Sequence, residues 1–163
     1  MAVFLSTFVN KVDRKGRVSV PATYRAVLGG QSFSGIVVFP SFRDSYNAIE
    51  ACGMDRMERL SASVDGLNPF SDEHDDFATA IFGSAVQLPF DGEGRVMLPD
   101  HLRAHAGIET HAAFVGRGAT FQIWRPEALD VFQVEARRRA ARTRDRLALD
   151  RDGGSGGGAG GGR

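Results

Sequence analysis

The chain's 163 residues, 42% of them hydrophobic, suffice for one ordinary domain or two very small halves, and its formal net charge of zero argues against indiscriminate coating of nucleic acid. Cys52 is the only cysteine, which excludes an intrachain disulfide and a cysteine-built zinc site. No apolar run approaches about 18 residues, and no charged segment leads into one at residues 1–6, so the expectation is a soluble protein of the reducing cytosol with no membrane partner.

In chain order, residues 4–10 form a short apolar and β-branched run, and Lys11-Val12 and Val18-Ser19-Val20 flank the loop 13–17. Alternation and β-branching on both sides of a glycine-containing turn predict a β-hairpin, with Asp13 bonding the backbone that follows it and Gly16 taking positive φ. Pro21 ends the strand because it lacks a ladder N–H and presets the first turn of a helix. Residues 22–28 predict that helix, stopped by Gly29-Gly30, and Ile36-Val37-Val38-Phe39 predict a buried strand closed by Pro40. The spacing of Tyr46, Ile49, Met54, Met57 and Leu60 is loosely helical over 45–60, with Gly53 as an interruption. Residues 63–76 are acidic, contain Gly66, Asn68 and Pro69, and read as a surface loop joining two halves and leading into a helix near Asp75.

Residues 78–82 and 85–90 open a second unit, and residues 99–106 predict another short helix ending at Gly107. Residues 112–116 and 120–124 predict a hairpin across Arg117-Gly118-Ala119, with Phe121 and Trp124 packed in the core. Pro126 opens a final helix that carries Leu129, Val131, Phe132 and Val134 before turning basic at Arg137, Arg138, Arg139, Arg142, Arg144 and Arg146. The glycine-rich stretch from Asp152 has no side chains to bury and is expected to be disordered. The expected organisation is a first half over 4–60, an acidic linker over 61–77, a second half over 78–135 and a basic helix end with its tail over 136–163.

The two halves are copies. Asp13-Arg14-Lys15-Gly16-Arg17-Val18-Ser19-Val20-Pro21 returns as Asp91-Gly92-Glu93-Gly94-Arg95-Val96-Met97-Leu98-Pro99, and Arg25-Ala26 and Gly29 return as Arg103-Ala104 and Gly107. One constant shift aligns every pair, so a single supersecondary unit is used twice. Charge separates the copies: residues 1–30 hold Lys11, Arg14, Lys15, Arg17 and Arg25 against Asp13 alone, whereas residues 43–77 hold three arginines against nine acids. Such a dipolar chain can present a basic face while remaining soluble.

The duplicated Asp-x-x-x-Arg motif, each copy followed by an apolar triplet and a proline, resembles the MraZ family, bacterial transcriptional regulators related to the AbrB-like swapped-hairpin DNA-binding domains. The Tyr24-Arg25 and Leu102-Arg103 helices and the run Phe121-Gln122-Ile123-Trp124-Arg125-Pro126-Glu127-Ala128 carry the resemblance further, over residues 4–135. It implies an α/β, strand-rich fold of two tandem AbrB-like swapped-hairpin barrel halves, related by a pseudo-twofold axis and assembled into a homo-oligomeric ring. It also implies a cytoplasmic, nucleoid-associated protein whose partner is double-stranded DNA, in the form of repeated promoter elements before the division and cell-wall gene cluster, with autoregulation. The chain departs from the pattern where Gly92 and Glu93 replace Arg14 and Lys15, and in its basic and glycine-rich extension after Glu135.

Arg14, Lys15 and Arg17 are the candidate DNA-binding residues, since arginine suits a bidentate contact to guanine and lysine a phosphate. The competing reading is a solvated turn in which Asp13 pairs with Arg17, and the two are compatible for Arg17, because an Asp can orient a guanidinium that still reaches a groove. Lys11, Arg137 and Arg138 are additional candidates, although the basic helix end is equally well read as solvated. Asp13, Gly16, Pro21 and Arg25, with Asp91, Gly94, Arg95, Pro99 and Arg103, are shared motif positions and read as structural. Glu93 beside Asp91 offsets Arg95, which places the second hairpin away from a phosphate backbone. No catalytic, metal or cofactor site is expected: His101 and His105 lack a third ligand, Cys52 lacks a neighbouring histidine, and Gly92-Glu93-Gly94 makes no phosphate loop. The functional expectation is a non-enzymatic, sequence-specific DNA-binding regulator, and the alternative is an oligomerisation module whose hairpins make only subunit contacts.

Overall fold

The computed structural model describes residues 2–147; the stretch from Asp152 that the sequence marks as disordered lies outside them. The first copy contributes β1 (Thr7–Lys11), β2 (Arg17–Ser19), α1 (Ala22–Val27), β3 (Gly35–Pro40), β4 (Ile49–Cys52) and α2 (Met54–Asp65). After α3 (Asp72–Phe77), the second copy repeats the order with β5 (Val86–Pro89), β6 (Arg95–Met97), α4 (Asp100–Ala106), β7 (His111–Gly116), β8 (Phe121–Trp124) and α5 (Pro126–Thr143). The result is an α/β, strand-rich fold.

β7 and β8 pair as the hairpin expected over residues 112–124, with Gly116 opposite Phe121, whereas β1 and β2 do not pair as a local hairpin. Among the described residues β1 makes no ladder with β2, and the chain meets β2 at the isolated bridge Val12↔Val18 just past the end of β1. β1 lies instead antiparallel to β7 of the other copy, with Phe8 opposite Phe114 and Lys11 opposite His111. In return, β5 lies on β3 of the first copy, with Ile36 opposite Leu88. The physical reason is ladder length: β2 is three residues long and Pro21 follows it closely, so β1 meets far more of its backbone requirement against the six residues of β7. The open sheet runs β1-β7-β8-β4-β3-β5, and β2 and β6 form a separate two-stranded ribbon. In that ribbon Val18 faces Val96. Both valines are buried, and Val20 N–H donates to Gly94 O at 3.2 Å while Leu98 N–H donates to Gly16 O at 2.9 Å. This reciprocity is the swapped-hairpin arrangement: each copy completes the other.

β3 is buried along almost its whole length because its two faces enter two cores. Ile36 and Val38 join the main cluster, which includes Tyr24, Leu102, Phe114 and Phe121, while Val37 and Phe39 join Cys52, Met57 and Ile81 under α2. Tyr24 is fully buried, touches Phe4 edge-on at 5.3 Å, and donates its hydroxyl to Ser6 O at 2.6 Å. The helical spacing over 45–60 crosses a boundary. Ile49–Cys52 is the strand β4, and Gly53 caps α2, which continues to Asp65. The acidic stretch is accordingly the end of α2, a turn and α3 rather than a long loop, and Ala78–Phe82 continue as a π-helical turn that buries Ile81.

The body ends at Leu129, and the residues from Asp130 form a separate unit. Within that unit Arg138 Nη1 donates to Glu135 Oε1 at 3.1 Å, and the Arg139 guanidinium stands 5.7 Å from the centre of the Phe132 ring. Among the described residues no helix is long and apolar enough to cross a membrane.

Because each copy supplies a strand to the other, the body should unfold as one cooperative unit. Leu102→Ala, in a fully buried position of α4, is expected to cost about 2–5 kcal/mol and to move the entire urea transition without splitting it. Two separate transitions, one for each copy, would contradict the strand exchange.

Candidate nucleic-acid interface

The loops 13–17 and 91–95 are built alike. Asp13 N–H donates to Arg17 O at 3.0 Å and Gly16 N–H returns to Asp13 O at 3.0 Å, closing a tight turn that puts Gly16 at φ +86°. Inside it, Asp13 Oδ1 accepts from the backbone N–H groups of Lys15 and Arg17, each at 2.9 Å, and Asp13 Oδ2 accepts from Arg17 Nε at 2.6 Å. In the second loop Asp91 makes the same three contacts, with Glu93 N–H and Arg95 N–H at 2.9 Å and Arg95 Nε at 2.8 Å. The Asp at the head of the motif is therefore a backbone clamp, and the Arg four residues later is its side-chain partner.

The other conserved-in-repeat arginines act across the pseudo-twofold axis. The Arg25 guanidinium covers Gly94, where a Cβ would lie 2.7 Å from Arg25 Cζ, and Arg25 Nε donates to Val20 O at 3.1 Å. Reciprocally, Arg103 covers Gly16, where a Cβ would lie 2.8 Å from Leu98 O and 3.1 Å from Arg103 Nε, and Arg103 pairs with Asp100 on its own helix. Pro21 and Pro99 stand at the entries of α1 and α4, which aim these two arginines.

What the clamps leave over differs between the loops. Arg14 and Lys15 are exposed, and among the described residues their side chains have no hydrogen-bond or ion-pair partner. Gly92 and Glu93 hold the equivalent places, and Glu93 Oε2 lies 3.5 Å from Arg95 Nη1, so Arg95 is shared between two carboxylates. Lys11 is exposed at the end of β1 beside the first loop. Asn10 Nδ2 donates to Ser19 O at 2.8 Å and so ties β1 to the ribbon. On the outer face of the ribbon, Ser19 and Met97 are exposed between the two loops, opposite the buried Val18 and Val96. Asn10, Ser19 and Met97 carry no motif of their own in the sequence; strand alternation around Val18 and Val96 is the signal that points to the outward Ser19 and Met97. Arg137 and Arg138 lie in the separate C-terminal unit, where Arg137 is exposed and Arg138 is paired as described.

The other chemistry-bearing residues are engaged in the fold. His105 Nε2 meets Ala48 O at 3.1 Å. Cys52 is buried, and desolvation, partly offset by Arg56, pushes its thiol up to about 12, so the nucleophilic thiolate is suppressed at neutral pH. Gln122 and Trp124, buried on β8, are joined by a bond of 2.9 Å from Trp124 Nε1 to Gln122 Oε1.

The clamp has a pH signature. Asp13 is held below the ordinary 3.8, first by the Arg17 N–H, with the Arg17 guanidinium and the Lys15 N–H adding to it, and Asp91 is lowered in the same way by Arg95 and Glu93. A carboxylate whose folded pKa is depressed stabilises the fold above its unfolded value, and that contribution disappears as pH falls through the folded value. Carboxyl NMR titration should find both groups below 3.8, and Arg17→Ala should raise Asp13 only part of the way, because both backbone donors remain. Steric and backbone demands predict that Gly16→Ala costs about 1–3 kcal/mol in urea unfolding, whereas Gly92→Ala, with open space around it, changes stability by less than about 0.5 kcal/mol.

A family model described as "MraZ protein, putative antitoxin-like" matches residues 81–152, which begin just before β5 and take in the second motif. Individual relatives match across both copies. The chain is 57% identical over 127 residues to the "Transcriptional regulator MraZ" of Rickettsia akari (strain Hartford), covering 78% of this chain and 84% of that one. It is 52% identical over 141 residues to the protein of the same name from Rickettsia bellii (strain OSU 85-389), covering 86% of this chain and 93% of the relative. A third, from Rickettsia africae (strain ESF-5), is 54% identical over 132 residues, covering 81% and 87% respectively. With more than half of the aligned residues identical over more than three quarters of the chain, the chain belongs to the MraZ family.

Proposed function

We propose that the protein is a transcriptional regulator that binds double-stranded DNA sequence-specifically, with loop 13–17 as the reading element. The observation that carries this is the contrast between two equally rigid loops, of which only the first presents Arg14 and Lys15 without partners. Arg14 supplies a guanidinium able to fork onto the acceptors of guanine, and Lys15 a point charge for a phosphate. Arg17 is oriented by Asp13 and has about a third of its side chain exposed, so it adds a phosphate or base contact without leaving its clamp. The relatives' shared name, transcriptional regulator, supports the same reading. Lys11 extends the basic edge, and Arg137 and Arg138 are secondary phosphate contacts.

One reading loop per chain binds weakly, so the protein acts as a homo-oligomeric ring on repeated promoter elements, where linkage multiplies the affinity of each contact. The targets are those the family resemblance implies, the division and cell-wall gene cluster, which places the protein in the cytoplasm at the nucleoid. No catalytic step is assigned to it. In this reading the halves are 4–60 and 78–135, joined through 61–77, with 136–163 as an extension.

The test is binding to a DNA element selected from a random pool, followed by fluorescence anisotropy across a salt series. Arg14→Ala should weaken binding by about 1–3 kcal/mol, and Lys15→Ala should reduce the salt slope by about one. Arg17→Ala should lose more affinity than Arg95→Ala. Equal losses from folded, assembled variants would overturn the asymmetry, and the absence of any sequence-specific binding would favour the oligomerisation module.

A further inference from the structure

A second feature of the body lies outside the clamped loops. The β3–β4 turn, the start of α2 and the β7–β8 turn enclose an open cavity of about 450 Å³, within the size range that holds ligands or anchoring side chains. Its walls include Phe39, Phe42 and Tyr46, and its polar lining includes three arginines, Arg43, Arg56 and Arg117. Among the described residues no carboxylate pairs with any of these three. Glu50, the acid in the lining, accepts instead from Gln122 Nε2 at 2.7 Å. Arg56 Nε is buried without a hydrogen-bond partner, Arg117 Nη1 reaches the Tyr46 hydroxyl at 3.4 Å, and the Arg43 guanidinium stands 5.9 Å from the centre of the Tyr46 ring. Aromatic walls and a lining with three arginines against the one carboxylate of Glu50 suit an apolar group that carries negative charge beside it.

The same body displays such a group. Phe70, between α2 and α3, is 95% exposed, the highest value among the exposed large apolar side chains of the described residues. Its turn is held by its own hydrogen bonds. Asn68 Oδ1 accepts from Phe70 N–H at 3.0 Å, Ser71 Oγ donates to Asn68 O at 2.6 Å, and His74 N–H donates to Ser71 Oγ at 3.1 Å to cap α3. Such a turn holds an aromatic ring in water with no packing purpose among the described residues. Directly after it, Asp72, Glu73, Asp75 and Asp76 are all exposed, and His74, 3.9 Å from Asp75, is the sole ion-pair contact this set makes among the described residues.

We infer that Phe70 of one copy seats in this cavity of a second copy, with Asp72 and Glu73 meeting Arg43 and Arg117. The two patches differ, so a copy whose cavity is filled still has its own Phe70 to offer to a neighbour, and a contact of this kind closes into a ring when the rotation between copies allows it. An aromatic anchor in a pocket surrounded by paired charges is the usual centre of binding energy at an interface. The inference rests on the homo-oligomer reading above and names the surfaces that make it.

Sedimentation velocity or light scattering over a concentration series tests it on the full chain. Phe70→Ala should weaken self-association roughly thirtyfold, and the pair Arg43→Glu with Arg117→Glu should do the same, while thermal melting stays close to that of the parent. Adding Asp72→Arg and Glu73→Arg to the Arg43→Glu, Arg117→Glu chain should restore assembly, which loss of folding could not explain. Mixing the Phe70→Ala chain with the Arg43→Glu, Arg117→Glu chain should yield one-to-one pairs, since only one knob and one cavity remain between them. If the parent assembles and these variants assemble equally well, the docking surface is wrong and the oligomer reading stands. If the parent is monomeric throughout, both fall, and anisotropy on a single DNA element still decides the DNA-binding reading separately.

Discussion

The strand exchange is the constraint on which the rest of the molecule depends. Each backbone N–H and C=O in β1 needs a partner, and β2 is too short to supply them; β7 of the other copy does. The same need sends β5 to β3. Once these ladders are made, β2 and β6 are left side by side, joined at Val18 and Val96, and their loops are brought to one ribbon. Duplication in sequence thereby becomes adjacency in space. Asp13 contributes to holding the charge of Arg95, alongside the larger effects of Asp91 and Glu93, so the two loops share one electrostatic neighbourhood.

Near-symmetry also explains which residues cannot vary between copies. Gly16 and Gly94 combine positive φ with a guanidinium from the opposite half pressed against the space a Cβ would need. Arg25 and Arg103 each cover the other copy's turn, a packing role that the repeat preserves. Asp13 and Asp91 are repeated because each accepts two backbone N–H groups and its own arginine. The second and third positions of each loop lend the clamp a backbone N–H, at Lys15 and at Glu93, but no side chain that both copies share. They are free to differ, and they do, as Arg14 and Lys15 against Gly92 and Glu93.

Much of this was legible in the sequence. The repeat, the Asp and Gly chemistry of the turns, the proline stops and the buried run of β3 are local signals and appear where expected. Strand partners are not local. Residues around loop 13–17 alternate in the same way whether β1 pairs with β2 or with β7; the shortness of β2 before Pro21 disfavours the first pairing but does not name the partner. The spacing from Tyr46 to Leu60 misled for a related reason: buried positions of β4 and of α2 fall by chance on one helical period, and Gly53, which separates them, reads as a flaw rather than as a cap. The cavity residues Arg43, Arg56 and Arg117 come from three distant segments, so no motif could have joined them.

The clamps bear on how the proposed reading loop works. A loop that must be ordered on binding loses part of its interaction energy to that ordering. Here two hydrogen bonds to Asp13 fix the backbone at Lys15 and Arg17 beforehand and a third holds the Arg17 guanidinium, leaving mainly the Arg14 and Lys15 rotamers to be restricted. The cost of preorganisation is that Arg17's charge is largely committed to Asp13, so in the proposed complex the attraction to phosphate falls mainly to Arg14 and Lys15. Two cations on one loop give a weak contact by themselves. A rigid, weak and repeated contact suits a repeated target, because specificity then arises from matching the spacing of copies as much as from any single side chain.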